Sequence, residues 1–211
     1  MRTFIAVELS DEMRLALIRV ERSLRGHLRR AGVTDGVLRW AGAEKAHVTL
    51  RFLGETDTDQ VERVKGGLVS VLRGQAPFGL RLADLGCFPS CARPRVVWTG
   101  ITGDLAALAQ LQARTEQVAQ AAGFPAETRP FSPHITLARA GRRISPQQQR
   151  QLGQVLTAFR TVSPLDLSDL GTVRVDAVIL MHSELWPTGS VYTPLGRFAF
   201  TDRNESTAKT V

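Results

Sequence analysis

His47-Val48-Thr49-Leu50 is repeated further along the chain as His134-Ile135-Thr136-Leu137. Each copy sets a histidine and a threonine two residues apart inside an apolar run. In a strand, residues i and i+2 share a face. The pattern therefore predicts His47 and Thr49 on one side of a strand, with Val48, Leu50 and Phe52 turned into the core. His134 and Thr136 repeat this over a buried Ile135 and Leu137. A proton-transfer group beside a hydroxyl, made twice, suits symmetric acid–base chemistry at a phosphate.

The surrounding chain strengthens the pairing. Phe4–Leu9 alternates as a strand, and Ser10 caps a helix striped by Met13, Leu17, Val20 and Leu24 that stops near Gly32. Val37–Trp40 is a short extended piece and Ala46–Leu53 the first motif strand. A helix over Asp57–Arg73, strands over Phe78–Leu85 and Arg95–Ile101, and a helix over Asp104–Ala122 ending at Gly123 follow. Phe131–Arg139 is the second motif strand, and Ser145-Pro146 opens a helix running to about Arg160. Further strands are predicted near 164–170, 173–182 and 190–200, and 202–211 as a polar, frayed tail.

After each motif and its helix comes the pattern L-x-L-x-D-L-G, at Leu80–Gly86 and again at Leu165–Gly171. Two such repeats predict two lobes facing each other, each lending one His-x-Thr strand to a shared cleft. No G-x-G-x-x-G opens a helix after a strand, and the last strands follow one another without helices. The fold class expected is α+β: one bilobal, internally duplicated domain over residues 1–201, with two antiparallel sheets flanking a central cleft and helices outside.

The chain has 211 residues, a net charge of +7 and 43% hydrophobic residues, enough apolar material for a core. Of its 27 basic residues only Lys45, Lys65 and Lys209 are lysines, leaving 24 arginines. Arginine suits phosphate contacts, and the basic balance fits a polyanionic partner, although an arginine-favouring, GC-rich genome accounts for the excess equally well. Cys87 and Cys91 are too few for a disulfide framework or a four-ligand zinc site and are expected as free thiols. With no secretory segment and no apolar stretch of membrane-spanning length, a soluble, reducing, cytoplasmic setting is expected.

Of the other histidines, His27 lies in an arginine-rich helical stretch and reads as a solvated surface residue. His182 reads as a strand-end residue. No H-E-x-x-H or close carboxylate set accompanies His47 and His134, and no G-x-S-x-G elbow occurs, so metal and serine chemistry are disfavoured. Arg139 lies five residues beyond His134. Strict alternation turns it to the opposite face, and a bulge or the strand end is needed to bring it into the site. Phe4, Trp40 and Phe131 are candidate base-stacking rings, with core roles equally open.

Arg39-Trp40 and His47–Glu55 resemble the first signature of the two-histidine phosphoesterase superfamily, and Arg129–Arg139 the second. Arg2–Val7 is similar to the same family's beginning, and the resemblance runs from about residue 2 to 200. It is greatest to the bacterial and archaeal RNA 2′,3′-cyclic phosphodiesterases, also called 2′-5′ RNA ligases. The resemblance implies a bilobal α+β fold and a metal- and cofactor-independent opening of a 2′,3′-cyclic phosphate to a 2′-phosphomonoester. It further implies His47 as proton donor, His134 as proton acceptor, and Thr49, Thr136 and Arg139 as substrate contacts. RNA with cyclic-phosphate ends, tRNA halves among them, is the implied partner of a monomeric enzyme. The resemblance also implies a reversible, ATP-independent 2′-5′ ligation, with an RNA 5′-hydroxyl in place of water. Two other readings fit the same residues: a protein that binds RNA ends without turnover, and a phosphodiesterase for a small cyclic nucleotide or an ADP-ribose cyclic phosphate.

Overall fold

Nine strands and four helices follow the expected order in a computed structural model that describes residues 1–162, 172–186 and 189–200. Local chemistry sets the helices. Helix α1 (Asp11–Arg30) starts where the Ser10 hydroxyl accepts from the Met13 amide and carries acidic residues in its first turn and basic ones in its last. Its stripe of Met13, Leu17, Val20, Leu24 and Leu28 is buried. Helix α2 (Thr58–Val71) opens on a reciprocal capping pair, Asp57 and Gln60. Helix α3 (Leu105–Ala121) ends before Gly123, whose φ of 96° a side-chain-bearing residue rarely adopts. Helix α4 (Pro146–Val162) begins on a second reciprocal pair, Ser145 and Gln148. Helix α1 packs on α4 and α2 on α3.

The first sheet has the order β3 (His47–Glu55), β1 (Arg2–Glu8), β8 (Ala177–Trp186), β9 (Gly189–Ala199). The second has the order β2 (Leu38–Trp40), β6 (His134–Ala140), β5 (Val96–Gly103), β4 (Phe78–Phe88), β7 (Val173–Val175). The paired strands run antiparallel throughout. The α+β architecture with two antiparallel sheets is as expected. The halves of the sequence, however, do not map one to a sheet. Strand β4, from the first half, lies beside β5 in the second sheet, while β8, from the second half, lies beside β1 in the first.

Several expectations need correction. The strand predicted over 173–182 is two strands in different sheets, broken at Asp176, whose carbonyl accepts from the Phe200 amide. His182 is therefore inside β8, paired with Thr3 and Thr193, because β8 continues to Trp186. His27 is half-buried, its ring edge-on to Phe159 of α4 at 5.2 Å, because that flank of α1 meets α4. Cys87 and Cys91 are joined in a disulfide. They flank the tight turn after β4, and their Cα atoms lie 5.1 Å apart, a separation a disulfide spans readily. The strand predicted near 164–170, with the second L-x-L-x-D-L-G copy, and the tail at 202–211 lie outside the described residues. No described helix is long and apolar enough to cross a membrane.

Candidate active site

Strands β3 and β6 face each other where the two sheets meet. β3 is the edge of its sheet. β6 is flanked by the three-residue β2 only along Ala138–Ala140, which leaves the His134 end uncovered by that strand. Both strands carry the same irregularity. Opposite β1, Ala6 pairs with Thr49 and Ile5 with Arg51, so Leu50 is an extra residue. Opposite β5, Trp98 pairs with Thr136 and Val97 with Ala138, so Leu137 is extra. A bulge shifts the alternation by one. The two burial patterns agree residue for residue through the seventh position: half-buried His and Thr with a buried residue between them, then two consecutive buried residues, an exposed one and a buried one.

The bulge settles where Arg139 points. Lying beyond Leu137, it returns to the face of His134 and Thr136 and is exposed. The same shift overturns the expectation for Phe52. Its ring is 54% exposed beside His47 and Thr49 instead of buried, and Arg51 takes the buried face. Phe52 and Arg139 thus occupy equivalent positions, five residues after their histidines. The signal was the spacing itself, which only a bulge makes meaningful.

The two imidazoles are held alike. His47 Nδ1 lies 2.8 Å from the Lys45 carbonyl and His134 Nδ1 2.8 Å from the Ser132 carbonyl. A carbonyl only accepts, so each Nδ1 carries a hydrogen and donates it, leaving each Nε2 for chemistry. Aromatic rings brace both. Phe4 stacks on His47 at 4.7 Å with Tyr192 edge-on at 5.2 Å, and Phe88 meets His134 edge-on at 5.0 Å with Trp98 at 6.0 Å. Among the described residues the Thr49 and Thr136 hydroxyls have no hydrogen-bond partner.

Burial lowers both histidine pKa values below 6.5, and the bond to the backbone carbonyl raises each partway back. The charge of Arg139 lowers both, and His134 and Arg14 lower His47 further. Arg139 therefore acts electrostatically on both imidazoles.

The rings expected to stack a base do not offer a free face. Phe4 is buried beneath His47, Phe131 packs against the core, and the Arg25 guanidinium lies 4.3 Å over the Trp40 ring. Trp98, Phe88 and Tyr192 were missed because strand pairing, not sequence spacing, brings them to the histidines. Gly86, the glycine ending the first L-x-L-x-D-L-G, leaves room for Trp98: a Cβ there would overlap the indole ring. Gly86→Ala is expected to cost about 1–3 kcal/mol, as overpacking does, read by urea denaturation.

Arg51 was also missed. Its guanidinium donates to the Phe52 and Pro125 carbonyls and pairs with Glu116 of α3 and Glu127. Arg129 in turn grips Glu127 through two nitrogens and holds that carboxyl down at about 2. This network ties the strand of His47 to the loop that leads into His134. Among the described residues no three His, Cys, Asp or Glu side chains converge as metal ligands.

The sequence profile of the 2′-5′ RNA ligase superfamily matches residues 21–184. The chain belongs to that superfamily. It is 32% identical over 203 residues to an RNA 2′,3′-cyclic phosphodiesterase of Thermus thermophilus, covering 94% of this chain and 90% of that one. To the protein of the same name from Methanothermobacter thermautotrophicus it is 28% identical over 197 residues, covering 93% and 97%. Among solved structures, E. coli LigT complexed with 3′-AMP superposes with a TM-score of 0.69 at 28% identity, over 95% of this chain and 98% of LigT. In this member of the 2′-5′ RNA ligase superfamily, the cleft between β3 and β6 gathers both histidines, both threonines and Arg139 on the inward faces of two strands. Phe52, an addition to that set, stands at its rim.

Proposed function

We propose that this cleft hydrolyses RNA 2′,3′-cyclic phosphate ends to 2′-phosphomonoesters by two-histidine acid–base catalysis, without a metal or cofactor. The observation that carries the reading is the pair of bulged His-x-Thr strands, each with Nδ1–H donated to a carbonyl and Nε2 left for proton transfer. His134 Nε2 takes a proton from water, whose oxygen attacks phosphorus. The P–O3′ bond breaks, and His47 Nε2–H protonates the departing O3′. Thr49 and Thr136 donate to the non-bridging oxygens, and Arg139 offsets the charge that builds on them. Phe52 offers an apolar ring to the terminal base. With an RNA 5′-hydroxyl in place of the attacking water, the same steps join a 2′-5′ linkage, and their reversal cleaves it back to the cyclic phosphate. The names of the relatives support RNA as the substrate. We further propose a monomeric, cytoplasmic enzyme, with tRNA halves among its substrates.

Product analysis of a cyclic-ended oligonucleotide tests the reading. A sole 2′-phosphate is expected; a 3′-phosphate would reverse which oxygen leaves, and tight binding with no product would make the protein an end-binder. Comparing RNA with ADP-ribose cyclic phosphate separates the small-substrate reading. The pH dependence of kcat/KM should be bell-shaped and centred below 6.5, because both histidines are lowered. Arg139→Met removes a positive charge that lowers both, so both limbs should move to higher pH while kcat falls. An unmoved profile would mean that Arg139 does not act on the imidazoles.

A further inference from the structure

The cleft floor does not end at Arg139. In the pairing of β2 with β6, Arg39 stands directly opposite Arg139, on the same face, at a Cα separation of about 5 Å. Beyond Arg39 a cavity of about 640 Å³ opens, within the range of nucleotide-sized ligand sites. The turn after β6 supplies Arg142 and Arg143, the start of α4 supplies Gln148, and Trp186, from the far end of β8 in the other sheet, reaches its wall.

Its charge is one-sided. Among the described residues no carboxylate lines it, and Arg39, Arg142 and Arg143 form no ion pair. Three unpaired guanidiniums around one cavity repel each other, and a phosphodiester between them relieves that repulsion. Trp186, 57% exposed, adds an unoccupied aromatic ring to the same wall. Guanidinium groups with an open aromatic face are the pair of features that hold a single-stranded polynucleotide without reading its sequence.

We propose that this cavity is a second nucleotide subsite, which holds the nucleotide immediately 5′ of the cyclic phosphate, its phosphodiester on Arg142, Arg143 and Arg39 and its base on Trp186. The assignment rests on the RNA reading of the histidine cleft. A 2′,3′-cyclic terminus continues only through its 5′ oxygen, so in hydrolysis the chain has one direction to leave the cleft. Arg139 and Arg39 mark a basic path from the histidines into the cavity. The cavity makes the enzyme selective for oligonucleotides over mononucleotides.

The test compares Arg142→Ala/Arg143→Ala and Trp186→Ala with the unaltered protein on two substrates, a nucleoside 2′,3′-cyclic phosphate and a cyclic-ended ten-nucleotide RNA. The unaltered protein should favour the RNA in kcat/KM. The double variant should raise KM for the RNA about ten-fold and leave the mononucleotide unchanged. Binding of the same RNA, followed by anisotropy across a salt series, should show a log–log slope shallower by about 1.4, two phosphate contacts' worth for a single strand. Trp186→Ala should weaken binding about five-fold or more, and Trp186→Phe should restore most of it. Equal losses on both substrates, or unchanged RNA affinity and slope, would overturn the subsite. Failure of the unaltered protein to hydrolyse either substrate would instead count against the function proposed for the cleft, and the anisotropy series would still decide the subsite.

Discussion

His47→Ala and His134→Ala are each expected to lower kcat on a cyclic-ended oligonucleotide by roughly 10²–10⁴-fold, the range a positioned general acid or base supplies. KM should stay within a few-fold, because Thr49, Thr136, Arg139 and Phe52 still hold the substrate. The losses should not multiply in the double variant, since the two groups act on one proton-transfer sequence. The single variants should also differ in form. Without its base, His134→Ala should lose the acid limb of the pH profile; without its acid, His47→Ala should lose the alkaline limb. A substrate with a better leaving group at O3′ should rescue His47→Ala more than His134→Ala. If the rescue favours His134→Ala, the two roles are exchanged. If either variant keeps near-normal turnover, the two-histidine mechanism is wrong.

Arg51→Met should lower the stability of the fold by about 3 kcal/mol, the low end for removing one partner of a buried ion pair. Arg51 is only 8% exposed and faces Glu116, Glu127 and the Pro125 carbonyl. A methionine fills similar volume but leaves those acceptors without their cation. The arm carrying Pro125 and Glu127 leads to Ser132, whose carbonyl fixes the His134 tautomer. The same substitution should therefore reduce kcat several-fold without touching the cleft. Arg51→Lys keeps the charge but cannot form the fork, so it should fall between the two. Urea titration measures the first effect and steady-state kinetics the second. A stability change under about 0.5 kcal/mol would show that the network is a bystander.

Much of this was legible in the residues. Amphipathic stripes, the Ser10 and Ser145 caps and the stop at Gly123 placed α1–α4, because these signals are local. Period-two alternation placed the motif strands and put each histidine beside its threonine. What alternation missed was any departure from alternation. The bulges at Leu50 and Leu137 arise from the pairing with β1 and β5, and nothing near them in sequence specifies an extra residue. Phe52 was consequently placed in the core, and Arg139 looked misdirected. The break at Asp176 has the same origin, since it is where the chain leaves one sheet for the other. The Cys87–Cys91 bond escaped because composition arguments weigh compartments, whereas two cysteines across a tight turn meet by geometry.

The traded strands β4 and β8 also set an order of events during synthesis. β1 emerges well before its neighbour β8, which spans Ala177–Trp186 and follows every strand of both sheets except β9. Until the ribosome has released that segment, the strand that supports His47 has β3 on one side and an open edge on the other. The second sheet can begin from β4, β5 and β6 well before then. The cleft should therefore mature one wall at a time, with the His134 wall ordered while the His47 wall awaits the synthesis of β8. Contacts of such long range fold slowly, and a truncated nascent chain would present a basic surface and an unpaired strand edge together.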